Sequence, residues 1–336
     1  MTCPPCHLLL AHGAAAPWQL PLDEAIVRVC GDTPAEIAAA LAPDTEILVT
    51  DAMPAADAAT AGLRWIQLMS AGYNQAIGHP LALRPGLRVS NAAGLCAGHM
   101  AEFIVGQMLR HVKRWDEFAV LQHRRTWPDR AAMATPPLRG RRALIVGYGG
   151  VGRETARLLT ALGVVVDAVQ RRAGREPYRG FVAQADMGDP AGALPRRIYA
   201  LEELTAALPE ADFVILTLPL TPQTRHLLNA RTLAATKPGV VILNVARGGV
   251  IETTALLAAL DEGRLARAYL DVFESEPLPA DSPLWTHPGV VVTPHMSGVM
   301  PVALELQKDL VRQNLRRYRA GEALLNEIPP ERLRTP

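Results

Sequence analysis

Three short segments in the second half of the chain contain the side chains that carbonyl chemistry requires. Each segment stands at or just after the end of an apolar run typical of a buried strand, and together they supply a cation, carboxylates and an imidazole. Reducing a 2-keto acid needs a guanidinium to bind the carboxylate and polarise the carbonyl, an acid to protonate the alkoxide, and a carboxylate to keep that acid charged. The segments, which predict such a site at one sheet edge, are 244–251, 271–278 and 293–298.

A glycine-rich sequence in the middle of the chain predicts a bound nucleotide. Apolar residues 143–146 precede it and residues 153–159 have helical spacing, so the glycines fall between a strand and a helix. In such a turn the first glycine permits the bend, the second leaves room for a pyrophosphate, and the third lets the helix pack closely on the strand. The predicted nucleotide contacts are Gly147, Tyr148, Gly149, Gly150, Val151 and Gly152.

The end of the next predicted strand indicates which dinucleotide binds. An acidic residue there binds the ribose 2′-hydroxyl of NAD(H), whereas a basic residue suits the 2′-phosphate of NADP(H). Here the strand ends in Gln170, Arg171 and Arg172. NADP(H) is therefore the predicted cofactor, with NAD(H) as the second candidate. The alternative is that both arginines are solvated surface charges and that Asp167, three residues before the strand's end, serves as the acidic residue.

Alternating strand and helix patterns predict an α/β protein with two doubly wound parallel sheets. The predicted domains are a substrate-binding domain, residues 1–110 with 299–336, and a Rossmann-type NAD(P)-binding domain, residues 111–298. Helical patterns cover 34–42, 98–122 and 301–319. The predicted strands are 7–11, 25–30, 46–50, 64–69, 87–90, 143–147, 163–169, 212–217, 240–244, 267–271 and 290–293.

Composition argues against several other classes of protein. With 34 basic and 33 acidic residues the net charge is +1, so no global field attracts nucleic acid or an anionic membrane. The longest apolar stretches are strand-sized, shorter than the ~20 residues of a membrane span. No signal-like segment stands at the N-terminus, which favours the cytoplasm. Cys3, Cys6 and His7 fit a haem-attachment pattern, but without a signal peptide or a second metal pair we expect neither haem nor metal.

The ordered motifs together resemble those of the D-2-hydroxyacid dehydrogenases, most of all the NADP-using glyoxylate/hydroxypyruvate reductases. The resemblance spans nearly the whole chain. It implies that Arg247 binds the substrate, that His295 is the general acid/base, and that Glu276 pairs with His295. Glu274, also acidic and two residues away, is the alternative partner. The implied fold is two Rossmann-like or flavodoxin-like domains with the active site in the cleft between them, in a homodimer.

The same resemblance assigns further contacts. The loop of Ser70, Ala71, Gly72 and Tyr73 would receive the substrate carboxylate through its backbone N–H groups. Cofactor contacts outside the glycine turn and the strand end that follows it are assigned to Leu218, Pro219, Thr224, Val245, Ala246, Asp271, His295, Ser297 and Gly298.

The favoured activity is hydride transfer between NADPH and a small 2-keto acid such as glyoxylate or hydroxypyruvate, giving the D-2-hydroxy acid. Two alternatives stay open. One is an NAD-dependent dehydrogenase similar to the D-3-phosphoglycerate dehydrogenases, although Gln170 stands where NAD-using members have an acidic residue. The other is a nucleotide-sensing, corepressor-like protein, although no segment resembles a dedicated peptide-docking site. A turnover assay separates this second alternative from an enzyme.

Overall fold

A computed structural model of the protein describes residues 5–11, 25–55, 58 and 60–334. The chain divides into two compact units. The first contains residues 1–95, 179–183 and 301–336, and the second contains residues 96–178 and 184–300. The unit bound at 300/301 lies two residues after the predicted domain bound at 298/299, whereas the bound at 95/96 lies fifteen residues before the predicted 110/111.

Twelve strands and nine α-helices are found within the described ranges. The strands are β1 Cys6–Ala11, β2 Ala25–Cys30, β3 Ile47–Thr50, β4 Trp65–Leu68, β5 Arg88–Ser90, β6 Arg142–Val146, β7 Val165–Gln170, β8 Ile198–Ala200, β9 Phe213–Leu216, β10 Val240–Asn244, β11 Leu265–Leu270 and β12 Val290–Val292. The helices are α1 Pro34–Ala40, α2 Ala97–Val112, α3 Trp115–His123, α4 Gly150–Ala161, α5 Leu204–Ala207, α6 Ala230–Ala234, α7 Thr253–Asp261, α8 Ala303–Arg319 and α9 Pro330–Leu333.

The first unit is built on a parallel sheet with the strand order β2-β1-β3-β4-β5. Strands of a parallel sheet are apolar on both faces because helices cover both. Alternate residues of β1 accordingly enter different cores: Leu9 packs in the cluster that contains Ile37 of α1, and Leu8 in the cluster that contains Val311 and Leu315 of α8. All five strands predicted here are confirmed.

The second unit contains a seven-stranded parallel sheet with the order β12-β11-β10-β9-β6-β7-β8. From β6 the chain runs outward through β7 and β8 to one edge of the sheet, then returns to β9 on the other side of β6 and builds the rest of the sheet from there. Carboxyl ends of parallel strands meet at one edge, and ligands of such sheets bind where the strand order reverses. That point lies between β6 and β9, where the glycine turn follows β6.

Two predictions of secondary structure were wrong in the second unit. The sheet has seven described strands rather than six, because β8 is only three residues long and follows a stretch without regular structure. The predicted continuous helix at 98–122 is two helices. Arg114 lies between α2 and α3 with φ +54°, a left-handed conformation that ends the helical hydrogen-bond ladder.

Two kinds of feature are absent from the described ranges. In those residues no helix is long and apolar enough to cross a membrane, and no group of three His, Cys, Asp or Glu side chains could hold a metal ion. Cys6 of the rejected haem pattern is buried at the start of β1, whereas Cys3 lies outside the described residues.

Candidate active site

The glycine turn has two positions that the fold closes to a side chain and one that it leaves open. Gly147 has φ +107°, and a Cβ there would lie 2.7 Å from the backbone nitrogen of Leu218. A Cβ on Gly152 would overlap the carbonyl oxygen of Gly147. A Cβ on Gly149 meets no protein atom within 4 Å. The first and third glycines therefore serve packing, and the second faces open space of the kind a pyrophosphate needs.

Backbone donors line this turn. Among the described residues, no N–H group from Tyr148 to Gly152 donates a hydrogen bond within the protein. These groups stand at the N-terminus of α4, where a helix favours bound anions. The side chain of Tyr148 is buried rather than exposed at the turn, and its hydroxyl donates to Asp189 Oδ2 at 2.7 Å. The turn thus fits a phosphate group through backbone alone.

Residues at the end of β7 separate the two cofactor alternatives. Arg171 and Arg172 are exposed and have no bonding partner in the part of the chain that the structure describes. The side-chain amide of Gln170 donates to a backbone carbonyl four residues later, at 2.8 Å. Asp167 is buried, and Arg196 donates to both its oxygens at 3.1 and 2.7 Å. Both carboxylate oxygens of Asp167 are therefore occupied by an ion pair with Arg196, which argues against a role in binding the ribose.

His295 and Glu276 form a direct pair. The imidazole Nδ1 lies 2.7 Å from Glu276 Oε2, and the other carboxylate oxygen accepts the backbone N–H of Phe273 at 2.9 Å. The pair is half-exposed, with 51% of the histidine side chain open to solvent, so a substrate could reach the ring. Because the carboxylate faces Nδ1, the Nε2 atom is left to exchange a proton.

Glu274, the alternative partner, has contacts of its own. Its Oε1 lies 2.7 Å from Nε2 of His226, and its other oxygen accepts hydrogen bonds from the backbone N–H and the hydroxyl of Thr253. Burial raises the pKa of the Glu274 carboxyl, but the hydrogen bonds from Thr253 and His226 outweigh burial and hold that pKa below its ordinary value. In this structure the partner of His295 is Glu276.

Asp271 holds the segment that carries His295. This residue directly follows β11 and is 1% exposed. Its carboxylate accepts the Thr293 hydroxyl at 2.6 Å and the backbone N–H groups of Met296 and Ser297, each at 2.9 Å. Its carbonyl accepts the His295 N–H at 2.8 Å, although His295 has the unusual φ of +56°. Asp271 was predicted to contact the cofactor; that contact stays a prediction, and in the structure its carboxylate has these protein partners.

Arg247 stands on a loop that Asn244 shapes. The Asn244 side chain accepts the N–H of Ala246 at 3.0 Å and donates to the carbonyl of Arg247 at 3.1 Å. A Cβ on the next residue, Gly248, would overlap the backbone of Phe273, so the chain can turn here only with glycine. One Nη of Arg247 donates to the Ala246 carbonyl at 2.7 Å, and the rest of the guanidinium has no acceptor among the described residues. This half-buried cation can still bind an anion.

The three catalytic candidates share one sheet edge. Arg247 follows β10, Glu276 lies in the loop after β11, and His295 follows β12. These strands are parallel neighbours, and adjacent strands are about 4.8 Å apart. The structure therefore brings the predicted cation, carboxylate and imidazole to the same edge as the glycine turn.

The other predicted cofactor residues of this unit lie in loops at that edge. Thr224 shapes the loop after β9, since its hydroxyl donates to the Pro219 carbonyl at 2.7 Å. Pro219 is exposed and Gly298 half-buried. The buried members of the set, which have little side-chain surface to offer a ligand, are Leu218, Thr224, Val245, Ala246 and Ser297.

In the first unit, the loop Ser70–Tyr73 follows β4 and presents backbone donors. The Ser70 hydroxyl donates to the Gly72 carbonyl at 2.9 Å and accepts from Gln75 at 3.0 Å, while Asn91 donates to the Ala71 carbonyl at 2.7 Å. Within the described ranges, the N–H groups of residues 71–73 donate to nothing. The loop is thus held by its side chains and carbonyls, and its N–H groups are left for a carboxylate.

Sequence reasoning missed the positioning residues of the site. Asn244 opens one of the three catalytic segments, yet it had no predicted role. An asparagine that directly follows a strand and precedes a tight turn is a usable signal, because its side chain readily bonds to nearby backbone. No sequence signal reveals that Thr293 bonds to Asp271, since 22 residues separate them and a tertiary contact joins them.

Comparison with known proteins agrees with this geometry. Residues 105–297 match the family described as "D-isomer specific 2-hydroxyacid dehydrogenase, NAD binding domain". A glyoxylate reductase of Thermofilum pendens is 32% identical over 290 residues, which cover 83% of this chain and 80% of that protein. A D-3-phosphoglycerate dehydrogenase of Methanocaldococcus jannaschii is 30% identical, but the match covers 75% of this chain and only 46% of that protein.

A solved structure extends the match to nearly the whole chain. The crystal structure of a D-isomer specific 2-hydroxyacid dehydrogenase from Xanthobacter autotrophicus Py2, in complex with NADPH and MES, is similar with a TM-score of 0.79 and 26% identity. The alignment covers 98% of this chain and 99% of that one. The chain therefore belongs to the D-isomer specific 2-hydroxyacid dehydrogenase family, whose members are nicotinamide-dependent oxidoreductases that act on CH–OH groups.

Proposed function

We propose that the protein reduces a small 2-keto acid of the glyoxylate or hydroxypyruvate type to the D-2-hydroxy acid with NADPH. The observation that carries the proposal is the contact of 2.7 Å between His295 and Glu276, at the sheet edge that also holds Arg247 and the glycine turn. The name of the Thermofilum pendens relative, a glyoxylate reductase, supports the substrate class. When bound, the reduced nicotinamide supplies a hydride to the keto carbon.

Each catalytic side chain has a defined task in this proposal. His295 donates the proton on Nε2 to the carbonyl oxygen as negative charge develops there. Glu276 stabilises the imidazolium through Nδ1, and the N–H of Phe273 fixes that carboxylate. Arg247 binds the substrate carboxylate and polarises the carbonyl. In the first unit, the N–H groups of residues 71–73, which donate to no described residue, are proposed to bind a substrate carboxylate, as the family resemblance implies.

NADPH is the proposed cofactor because of the charges at the end of β7. Arg171 and Arg172 are exposed cations without protein partners among the described residues, and a guanidinium binds phosphate well. The competing candidate for the ribose, Asp167, is buried against Arg196. The Xanthobacter autotrophicus structure holds NADPH, which supports the same choice.

The double variant R171D/R172S tests this choice. Losing two charge-assisted contacts to the 2′-phosphate should lower the ratio of kcat/KM with NADPH to kcat/KM with NADH by about 100-fold. The matched control is R124D/R125S, which alters an exposed tandem pair after α3 and should leave the ratio within about twofold, the error of such a comparison. A ratio that survives R171D/R172S unchanged contradicts the proposed cofactor preference.

An NAD-dependent activity like that of the D-3-phosphoglycerate dehydrogenases has less support. The match to the Methanocaldococcus jannaschii enzyme covers less than half of that protein. At the end of β7 this chain has Gln170 instead of an acidic residue, and the nearest carboxylate, Asp167, is 6% exposed. No acidic side chain at this position of the described structure is available to a ribose.

We also propose that the protein is a homodimer, in keeping with the family resemblance. An exposed apolar surface on α3 and the loop after it supports this. Trp127 is 90% exposed, and Trp115, Phe118 and Val120 are 51%, 43% and 47% exposed. Large exposed apolar patches commonly mark protein interfaces. Sedimentation equilibrium should give twice the 36.2 kDa chain mass, whereas a monomer at all concentrations would contradict the proposal.

A further inference from the structure

A buried arginine lies directly behind the glycine turn. Arg153, in the first turn of α4, is 3% exposed, and a buried guanidinium needs acceptors for its N–H groups. Its Nε donates to the Tyr148 carbonyl at 3.2 Å, one Nη donates to the Glu176 carbonyl at 2.7 Å, and the other donates to the Asp189 carbonyl. The ring centroids of Tyr148 and Tyr178 lie 4.9 and 5.4 Å from the guanidinium carbon. Each of the three guanidinium nitrogens therefore has a backbone carbonyl as acceptor within the protein.

Two of these carbonyls belong to what we call the β7–β8 segment, residues 171–178 and 184–197. The segment has no regular secondary structure, and its first two residues are Arg171 and Arg172. Arg153 bonds to the first arm at Glu176 and to the second arm at Asp189. Its third carbonyl, that of Tyr148, lies in the glycine turn. One guanidinium therefore connects both arms of the segment to the turn that is proposed to hold the pyrophosphate.

The second arm has a further anchor to the same turn. The Tyr148 hydroxyl donates to Asp189 Oδ2 at 2.7 Å, and the Asp189 carboxylate also accepts the N–H groups of Ala193 and Leu194, each at 2.9 Å. Burial raises the pKa of Asp189, but these hydrogen bonds and the charge of Arg153 hold that pKa below its ordinary value. The ionised carboxylate complements the buried guanidinium. The segment is thus held by the side chains of Tyr148 in the glycine turn and of Arg153 in the first turn of α4.

We propose that Arg153 is a positioning residue that sets the preference for NADPH over NADH by holding the β7–β8 segment, and with it Arg171 and Arg172, in place for the 2′-phosphate. The inference rests on the proposed use of NADPH. Arg153 itself is too buried to reach the nucleotide. A segment that is already ordered avoids the entropy cost of fixing backbone and long side chains when the phosphate binds. NADH lacks that phosphate, so an ordered β7–β8 segment adds little to the affinity of the protein for NADH.

The substitution R153K tests this role, because lysine keeps the charge but lacks the planar fork that reaches three carbonyls at once. The Kd of NADPH should rise about tenfold, while the Kd of NADH and the kcat at saturating NADPH should change less than about twofold. Competition by adenosine 2′,5′-bisphosphate should weaken like NADPH binding, and competition by 5′-AMP should not. Hydrogen exchange at the amides of Ala193 and Leu194 should accelerate, since the loosened segment exposes them.

The matched control is R264K, which alters an arginine directly before β11 whose guanidinium donates to two backbone carbonyls outside the β7–β8 segment, those of Ala234 and Thr236. It should change none of these readouts. If R153K raised the Kd of NADPH and the Kd of NADH by the same factor, Arg153 would support the glycine turn as a whole, and the inference would be overturned. Unchanged affinities or unchanged exchange would overturn it as well. Should R153K fail to unfold cooperatively, Y148F replaces it, with an expected rise in the NADPH Kd of about threefold and the same contradicting outcomes.

The unsubstituted protein separates this inference from the proposed function. If it binds NADH more tightly than NADPH, the cofactor proposal fails and this inference fails with it. If it prefers NADPH and R153K keeps that preference, the inference alone is overturned.

Discussion

The carboxylates of Glu274 and Glu276 stand two residues apart, yet only one of them contacts a histidine at the proposed catalytic position. Glu276 has one oxygen on His295 and the other on the Phe273 N–H, so its position is fixed from both sides. Glu274 has both oxygens bound to His226 and Thr253. The two side chains have the same carboxylate group but different hydrogen-bond partners, so each serves as a control for the other.

Substitution of each glutamate by glutamine should separate their roles. E276Q keeps the shape and the Phe273 contact but loses the charge beside His295, so kcat for 2-keto acid reduction should fall by about 10²-fold to 10⁴-fold, with the Kd of NADPH within about twofold. E274Q should change kcat less than about threefold, because the partners of Glu274 are His226 and Thr253 and not His295. Equal losses in the two variants would contradict the assignment of Glu276.

At this scale the sequence predicts residue types better than contacts. The presence and order of Arg247, Glu276 and His295 are visible without coordinates. Residue spacing alone does not show which glutamate contacts the histidine, because the answer depends on where β11 and β12 end relative to each other; only the family resemblance favoured Glu276. The φ of +56° at His295 is equally invisible, since it is imposed by hydrogen bonds to Asp271 from a neighbouring loop.

Among the structural elements, the strand-to-helix turn after β6 contains both glycines that protein packing requires and a glycine that faces the proposed ligand. Gly147 and Gly152 are required by protein contacts, whereas Gly149 faces no protein atom within 4 Å. A substitution at each type of position should therefore affect different properties. The contrast distinguishes a binding turn from a turn that is glycine-rich for packing alone.

G149A should leave the melting temperature within about 2 °C, because the added methyl group meets no protein atom. The Kd values of NADPH and NADH should both rise at least about tenfold, since the methyl group takes space that the shared pyrophosphate needs. G147A, with φ +107° and a Cβ 2.7 Å from Leu218, should instead lower the melting temperature by several degrees. Cofactor affinity that is unchanged in G149A would contradict the placement of the pyrophosphate.

The elements themselves were largely predictable, because long apolar runs of a parallel sheet are strong signals. The five strands of the first unit and six of the second follow from such runs. The exceptions have local causes. β8 spans three residues after a stretch without regular structure, and the break between α2 and α3 depends on a left-handed Arg114 that carries no glycine or proline signal.

At the scale of the whole molecule, several carboxyl groups in both units have pKa values below their ordinary ones. Burial raises the pKa of Asp212, for example, but hydrogen bonds from Lys237 and the backbone N–H of Arg142 outweigh burial. Such a group binds protons more weakly when folded than when unfolded, so it stabilises the fold fully above its ordinary pKa and less as pH falls. The four most enclosed groups of this kind are Asp189, Asp212, Glu274 and Glu327.

The melting temperature should therefore be nearly constant above pH 5 or so and should fall as pH drops through the ordinary values of 4.5 for glutamate and 3.8 for aspartate. In D212N the decline should be shallower, because one of the contributing groups no longer titrates. Circular dichroism melts between about pH 3 and pH 7 measure both effects. A D212N decline as steep as that of the unsubstituted protein would contradict the depressed pKa of Asp212.

Steady-state turnover of a panel of 2-keto acids with NADPH measures the proposed reaction itself. We expect glyoxylate or hydroxypyruvate to be reduced with a kcat/KM at least about tenfold higher with NADPH than with NADH. We also expect H295A to lower kcat by orders of magnitude while NADPH still binds. The absence of turnover for every 2-keto acid in the panel, with NADPH bound and the protein folded, would show that the protein is not a 2-keto acid reductase.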